Sequence, residues 1–423
     1  KNKSIMKKIQ SVRGMKDILP SDCKIYRSIE NILMSAAIQF GYKEIRTPLL
    51  EDSELFIKSI GDGTDIVDKE MYTFVGSKGN SYSMRPEGTA SCVRAIIESG
   101  SSNTINKLWY CGPFFRHERP QKGRYRQFHQ FGAEFTGVES YEADIEIILL
   151  TKYMWEKLKI NPKLKINTIG DSEDRKKYTK NLIQYLEKYE KYFEDDDKQK
   201  IKKNPLRILD SKKESIKNIL IDAPKISNYI SKNSALHFEK FVDGLIKNNI
   251  NYEIDLHLVR GLDYYNRTVF EYIDNTENTQ NTICAGGRYD FLFENIFNKK
   301  VPALGFAIGI DRLIEFLDYD INYNENIKFY VAVLREEDFA YAQKISGEIR
   351  KYSDKFSILV DYSCSNLKAQ LKKANKLEAN YCIIIGENEA AGDSIQVKNM
   401  NSSEQDTIVL NEIGDYIKTK FVL

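Results

Sequence analysis

No stretch of the 423 residues is apolar for long enough to cross a bilayer, so no membrane is expected. The opening segment, Lys1 to Val12, is basic but lacks the apolar core of a secretory signal. Cysteine is sparse and scattered. Cys23, Cys92, Cys111, Cys284, Cys364 and Cys382 contain no C-x-x-C pair. This argues against a zinc site or a disulfide framework, and for a reducing compartment. Histidine is rarer still. His117, His129, His237 and His257 have none of the spacings of a metal site. Charge of one sign is also missing: 63 Lys and Arg face 61 Asp and Glu, a net of +2. Such a balance neither points to nucleic acid nor excludes it, because patches matter more than totals. What remains, 42% hydrophobic and 29% charged residues, is the composition of an ordinary globular protein. At roughly 100–200 residues per domain, the length suits two to three domains.

Apolar residues at helical spacing run from Asp22 to Phe40 and stop at Gly41. Trp109–Phe115 and Gln127–Thr136 read as two strands of a long hairpin, joined by a polar, basic loop. Composition shifts near Asp171. Arg175 to Asn218 is rich in Lys, Glu and Tyr, with an acidic knot at Glu194–Asp197, and reads as charged helices of a small separate module. Strand patterns return near Tyr252 and at Thr268–Ile273, and glycine-rich turns are expected at Ala285–Gly287 and Gly305–Gly309. A second boundary is expected in the polar stretch Asp318–Lys328. Beyond it, apolar runs (Phe329–Leu334, Phe356–Val360, Tyr381–Ile385) alternate with helical patterns (Asp338–Tyr352, Leu367–Ala379). That alternation suggests parallel pairing in an α/β domain.

The most informative segment runs from Phe115 to Glu134. Its loop carries Arg119, Lys122, Arg124 and Arg126 around Gly123, and guanidinium forks suit phosphate oxygens. Period two then places Phe128, Gln130, Gly132 and Glu134 on one face of the following strand: an aromatic, an amide, a gap and a carboxylate. A surface hairpin with solvated charges is the blander reading, and four cations beside that face disfavour it. In Arg85-Pro86-Glu87-Gly88-Thr89, a carboxylate and a hydroxyl flank a glycine that permits close approach, a set that would bind an ammonium. Taken alone, Thr89 reads better as a helix N-cap. Leu258–Tyr265 places Arg260, Asp263 and two phenols around a glycine turn. Arg312 opens a helix after the run from Gly305, a position that suits a terminal phosphate. Ala285–Asp290 alone would be a tight turn.

Taken in order, these segments resemble the motifs of class II aminoacyl-tRNA synthetases, specifically the histidyl-tRNA synthetase family. RGMKDILP (Arg13–Pro20) is similar to the family's N-terminal segment and GYKEIRTPLLE (Gly41–Glu51) to motif 1. FRHERPQKGRYRQFHQFGAE (Phe115–Glu134) is similar to motif 2 and GFAIGIDRL (Gly305–Leu313) to motif 3. LVRGLDYYNRTVFE (Leu258–Glu271) and CAGGRYD (Cys284–Asp290) resemble the histidyl-specific segments. The resemblance implies an α+β catalytic core on an antiparallel sheet flanked by helices, with a helical insertion and a C-terminal α/β anticodon-binding domain on a mixed sheet. It places the core in residues 1–170 and 248–326, the insertion in 171–247 and the anticodon-binding domain in 327–423. Two departures stand out: Asp311 where relatives carry glutamate, and Phe291 where glycine is common.

The implied activity is histidine–tRNA ligation through a histidyl-adenylate, with ATP, L-histidine and tRNA(His) as substrates, in a cytoplasmic homodimer. Glu87, Thr89 and Gln130 would hold the α-amino group, and Gly88 and Arg260 would also contact the histidine. Glu134 and Tyr265, with Tyr264 beside them, would read the imidazole. Arg116 and Arg260 would bracket the α-phosphate as catalytic residues, and Phe128 would stack on adenine. Arg124 would also bind ATP, and Arg312 its γ-phosphate. Glu118 would meet magnesium or the adenine side. Magnesium would be held mainly through the ATP phosphates, its protein ligands left open, and no zinc is implied. Arg119 and Gln121 would meet the acceptor end of the tRNA, and Pro48 would lie at the dimer interface. The rival within the same fold is a catalytically inactive, histidine-sensing regulatory subunit of ATP phosphoribosyltransferase. Such subunits typically lack the anticodon-type domain and some phosphate-binding residues, whereas Arg116, Arg260 and Arg312 are all present here.

Overall fold

The computed structural model describes residues 9–61, 64–211, 213–274, 282–317 and 326–421. They fall into two compact units, which divide between 317 and 326. The boundary expected at Asp318–Lys328 lies largely outside the described residues.

An eight-stranded sheet organises the first unit. Its spatial order is Lys43–Glu44, Asn106–Phe115, Gln127–Thr136, Ala303–Gly309, Thr282–Arg288, Asn266–Ile273, Lys163–Thr168, Glu253–Ile254. The six longer strands pair antiparallel, and the two-residue edge strands run parallel to their neighbours. The hairpin expected from Trp109 and Gln127 forms, with Trp109 opposite Ala133 and Cys111 opposite Phe131. Alternation then divides the Gln127–Thr136 strand. Phe131, Ala133 and Phe135 enter the main core, where the helices Pro20–Gln39, Tyr141–Leu158 and Lys232–Lys247 cover the sheet. Phe128 and Gln130, on the other face, line a cleft. Pro20–Gln39 forms because Tyr26, Ile29, Leu33 and Ala36 recur on one stripe, Pro20 opens the helix, and Gly41 turns out of it at φ +81°.

Ala285–Gly287 and Gly305–Gly309 are not turns but strand interior. Their glycines answer long-range crowding. A Cβ on Gly286 would lie 2.3 Å from the Gly305 carbonyl oxygen, and one on Gly305 would lie 2.0 Å from Oε2 of Glu134. Glycine there lets the strands close over a buried carboxylate.

Residues 171–247 are helical, with helices at Ser172–Glu187, Asp195–Lys203, Glu214–Leu220 and Lys232–Lys247. An Asp171/Asp174 capping box starts the first. Lys213 neutralises the acidic knot through Glu194 and Asp197, each at 2.7 Å. These helices are not set apart from the rest of the unit. Tyr178, Leu182 and Leu186 share one buried cluster with Leu258, Tyr264 and Tyr265. Phe291, half-buried, caps the short helix Leu292–Phe297 and lies outside the cleft lining.

The second unit has a mixed five-stranded sheet, ordered Phe356–Asp361, Ile327–Val333, Tyr381–Ile385, Ser394–Asn399, Gln405–Val409. Strand–helix alternation yields parallel pairing for the first three, and the last two return antiparallel. Phe339–Arg350 and Ile413–Phe421 pack on one face, and Leu367–Lys376 on the other.

Candidate active site

A cleft of about 940 Å³ opens on the face of the first unit's sheet away from the three helices. Glu87, Thr89, Arg116, Glu118, Arg124, Phe128, Gln130, Arg260, Tyr264, Tyr265 and Arg312 all line it. Segments far apart in the chain thus meet at one site because the sheet order places Gln127–Thr136, Ala303–Gly309, Thr282–Arg288 and Asn266–Ile273 side by side.

At one end the wall is built on Glu134, which is 1% exposed. Its Oε1 accepts from the Thr89 hydroxyl at 2.8 Å and the Tyr110 hydroxyl at 3.1 Å, and its Oε2 accepts from the Tyr289 hydroxyl. Burial pushes the carboxyl up to about 8, against the pull of these donors and with a further push from Glu87. Glu134 and Gly88 lie just behind the lining rather than on it. The gap at Gly132 and the close approach at Gly88 are both taken by Tyr110. Its ring carbon Cζ would lie 2.3 Å from a Cβ on Gly132 and 2.2 Å from one on Gly88. Tyr264 packs on Tyr265 with centroids 4.7 Å apart and meets Tyr289 edge-on at 5.6 Å.

Thr89 is not the N-cap. It is the first residue of the helix Thr89–Glu98, and the carboxylate of Glu87 does the capping, accepting from the N–H of Thr89 at 2.6 Å and of Ala90 at 2.9 Å. This frees the Thr89 hydroxyl for Glu134. Burial raises the pKa of Glu87 while these N–H groups lower it, and the net is upward.

The other end of the cleft is cationic. The Arg116 guanidinium lies over the Phe128 ring at 5.4 Å, with Nε donating to the Pro86 carbonyl at 2.9 Å. Arg124 pairs with Glu118. Arg312 donates to the Thr282 carbonyl at 2.7 Å. Burial, then the neighbouring Arg124 and Arg116, hold the pKa of Arg312 down, so three guanidiniums repel one another across this space. The helix carrying Arg312 is a single turn, Ile310–Leu313. The clustered cations, not a helix dipole, are therefore what suits a polyphosphate. Arg260 reaches Glu271 at 3.4 Å and stands 6.0 Å from the Tyr265 ring.

Of the four loop cations, Arg126 is structural: its N–H bonds the Gly14 carbonyl at 2.7 Å and its Nε the Glu118 carbonyl at 3.1 Å. Arg119, Lys122 and Gln121 are exposed at the hairpin tip, outside the cleft, and Gln121 and Arg124 exchange backbone bonds there. Pro48 is exposed beside the apolar Leu49 and Leu50, away from the cleft.

Three participants escape a reading of the sequence. Tyr110 carries no local signal beyond an aromatic in a strand. Tyr289 looks like part of a turn. Glu271 shows its role only through the Thr282 hydroxyl at 3.2 Å and Arg260. Asp311, a conservative departure by its chemistry, is a clasp. It accepts from the Tyr26 hydroxyl at 2.5 Å and the His129 N–H at 2.6 Å, tying the first helix to motif 2.

Glu134 also makes a testable statement about pH. Its folded pKa lies above the unfolded value, so its contribution to stability is complete below about pH 4.5 and is lost as pH rises through about 8. The thermal midpoint of the wild-type chain is expected to fall over that window more steeply than that of Glu134→Gln. Parallel pH profiles would show that this carboxyl is not buried in protonated form.

Comparison with known proteins agrees with this geometry. A family model for histidyl-tRNA synthetase matches residues 14–170 and 180–313, and one for an anticodon binding domain matches 328–420. The apo histidyl-tRNA synthetase of S. aureus is 33% identical, with a TM-score of 0.79, covering 97% of this chain and 100% of its own. A histidyl-tRNA synthetase from Nostoc sp. is 20% identical, with a TM-score of 0.68, over 98% of this chain and 100% of its own. A Bacillus halodurans protein described as an ATP phosphoribosyltransferase regulatory subunit/histidyl-tRNA synthetase is 22% identical, with a TM-score of 0.63, over 86% of this chain and 96% of its own. At those identities the last two share the fold. With the family model spanning both halves of the cleft-bearing unit, the chain belongs to the histidyl-tRNA synthetase family of class II aminoacyl-tRNA ligases.

Proposed function

We propose that this chain joins L-histidine to tRNA(His) through a histidyl-adenylate, using ATP. One observation carries the reading. A single cleft has a buried carboxylate ringed by hydroxyls just behind one wall and is lined by Arg116, Arg124, Arg260 and Arg312. That pairing suits an imidazole N–H donor beside a triphosphate.

In the first step a carboxylate oxygen of histidine attacks the α-phosphorus in line, the P–O bond to the leaving pyrophosphate breaks, and the adenylate forms. The protein positions the reactants and offsets developing charge. Glu87, Thr89 and Gln130 border the α-amino group, with Gly88 behind them. Glu134, Tyr264 and Tyr265 read the ring. Phe128, with Arg116 over its ring, takes adenine. Arg116 and Arg260 flank the α-phosphate, and Arg124 and Arg312 hold the outer phosphates. Glu118 is buried in the cleft but engaged by Arg124, as Glu271 is by Arg260. Magnesium would be carried mainly by the ATP phosphates, with Glu118 a residue that could hold it, and it would neutralise charge on the leaving group. In the second step the 3′-hydroxyl of the terminal adenosine attacks the acyl carbon and AMP leaves. Exposed Arg119 and Gln121 meet that end of the tRNA. Pro48, with Leu49 and Leu50 exposed beside it at 42% and 47%, supports a homodimer through this patch. Six free thiols support a cytoplasmic setting.

The regulatory-subunit reading is favoured only by the description of the B. halodurans neighbour. ATP–pyrophosphate exchange with each of the twenty amino acids, magnesium present and tRNA absent, separates the two. Exchange with histidine alone is expected. Histidine binding without any exchange would point to the regulatory reading.

The matched 328–420 region supports an anticodon-binding role for the second unit. Loss of the residues after Lys328 is expected to cut tRNA charging by tenfold or more, on the scale of ~1.4 kcal/mol or greater, while exchange changes little. Equal losses in both assays would argue against that role.

A further inference from the structure

The segment that carries Arg260, Tyr264 and Tyr265 is gripped at one residue, Asp263, by three distant parts of the fold. Its N–H donates to the Ile60 carbonyl at 3.3 Å, at the end of the helix Ser53–Ile60. Its carbonyl accepts from Arg175, on the helix Ser172–Glu187, at 3.0 Å. Its carboxylate accepts from the side-chain amide of Asn204. The other end of that amide is also fixed, because its oxygen accepts from the Leu206 N–H at 3.1 Å. Gly61 leaves room for the carboxylate, since a Cβ there would lie 2.9 Å from Oδ2 of Asp263. Two of the three grips come from the 171–247 helices, which also share a buried cluster with Leu258, Tyr264 and Tyr265. A second cavity of about 240 Å³ lies against Arg175, Asn204 and Asp263 and shares Val259, Arg260 and Leu262 with the main cleft. The segment is packed at Leu258, Tyr264 and Tyr265 but borders a cavity on each side at Val259, Arg260 and Leu262, and the clasp ties it at that stretch.

We propose that Asp263 is a positioning residue through which the 171–247 helices set the placement of Arg260 and the two tyrosines. It touches no substrate itself. The proposal rests on the histidine-activating reading. Arg116, Arg124 and Arg312 stand on other strands and loops, so the ATP side of the cleft does not depend on the clasp. The physical consequence is asymmetric: loosening it disturbs histidine and the reacting phosphate but spares the grip on ATP.

The test is exchange kinetics on full-length Asp263→Ala, Asn204→Ala and Arg175→Ala, with Asp263→Asn as the conservative variant. Each alanine variant is expected to raise KM for histidine and lower kcat by about tenfold together, the scale of one lost hydrogen bond to a charged group, with KM for ATP unchanged. Asp263→Asn, which keeps an acceptor for Asn204, is expected to recover most of the loss. A variant that only lowers the active fraction would reduce kcat and leave both KM values alone, and that result overturns the proposal. So does a rise in both KM values together. Should the wild-type chain bind histidine yet fail to exchange, the functional reading falls while the clasp is still read by calorimetry. A weakened histidine Kd in the alanine variants would then support it and an unchanged Kd would overturn it.

Discussion

Replacing Arg260 with alanine is expected to remove about 3–4 kcal/mol of transition-state stabilisation from histidine-dependent pyrophosphate exchange, the scale of deleting one preorganised donor. The structure supplies the preorganisation. One guanidinium nitrogen is held 3.4 Å from Glu271, and that carboxylate is fixed in turn by the Thr282 hydroxyl at 3.2 Å. The Nε of Arg260 is buried and bonded to no acceptor among the described residues. A phosphoryl oxygen gaining charge would supply the acceptor it lacks, which is a gain made in the transition state rather than in binding alone. Lysine at this position would keep the charge but lose the fork, so Arg260→Lys is expected to recover only a small part of the rate. With 21% of its side chain exposed, Arg260 contributes little to the core, and the thermal midpoint should stay near wild type. Near-normal exchange in Arg260→Ala would remove it from the reaction.

Much of this site is legible along the chain because its residues sit on strands with a strict two-residue period. Once Gln127–Thr136 is read as a strand, Phe128, Gln130 and Glu134 must share a face; Phe128 and Gln130 line the cleft, and Glu134 lies just behind it, bonded to the lining Thr89. The long hairpin and the first helix are legible for the same reason, each carrying its own period and its own stop. What is not legible depends on atoms far away in sequence. The glycines Gly286, Gly287 and Gly305 look like turn residues locally, yet they are strand residues whose missing side chains make room for a neighbouring strand and for Glu134. Tyr110 is an unremarked strand aromatic until the fold slides its ring between Gly88 and Gly132 and its hydroxyl onto Glu134. Thr89 passes for a cap because its type and position allow it. The true capping group is the preceding carboxylate, and only the three-dimensional placement of Glu134 shows why the hydroxyl is needed elsewhere.

Arg288 tests the link between this pocket and the core beneath it. The side chain is fully buried, and every arm of its fork is used. Nε donates to Asp144 at 2.8 Å, one terminal nitrogen to the Ser140 carbonyl at 2.7 Å, and the other to Asp290 at 3.1 Å and the Val138 carbonyl at 3.2 Å. Burial alone would raise the pKa of Asp144. Arg288 and His237 overcome that and hold it below the ordinary aspartate value. Arg288→Ala would leave the buried charge of Asp144 with, among the described residues, only His237 beside it, at 3.4 Å, and take the guanidinium from the Val138 and Ser140 carbonyls of the chain entering the Tyr141–Leu158 helix. Removing one partner of such a pair typically costs about 3–5 kcal/mol. Both tryptophans, Trp109 and Trp155, lie in the cleft-bearing unit. Urea unfolding followed by their fluorescence therefore reports on that unit, and its midpoint is expected to drop by that energy. Lysine should not rescue it, because a single ammonium cannot reach four acceptors. The next residue, Tyr289, donates to Glu134. The same substitution should therefore weaken histidine binding in whatever fraction stays folded. A stable Arg288→Ala chain with an unchanged KM for histidine would show instead that the pocket is held from the cleft side alone.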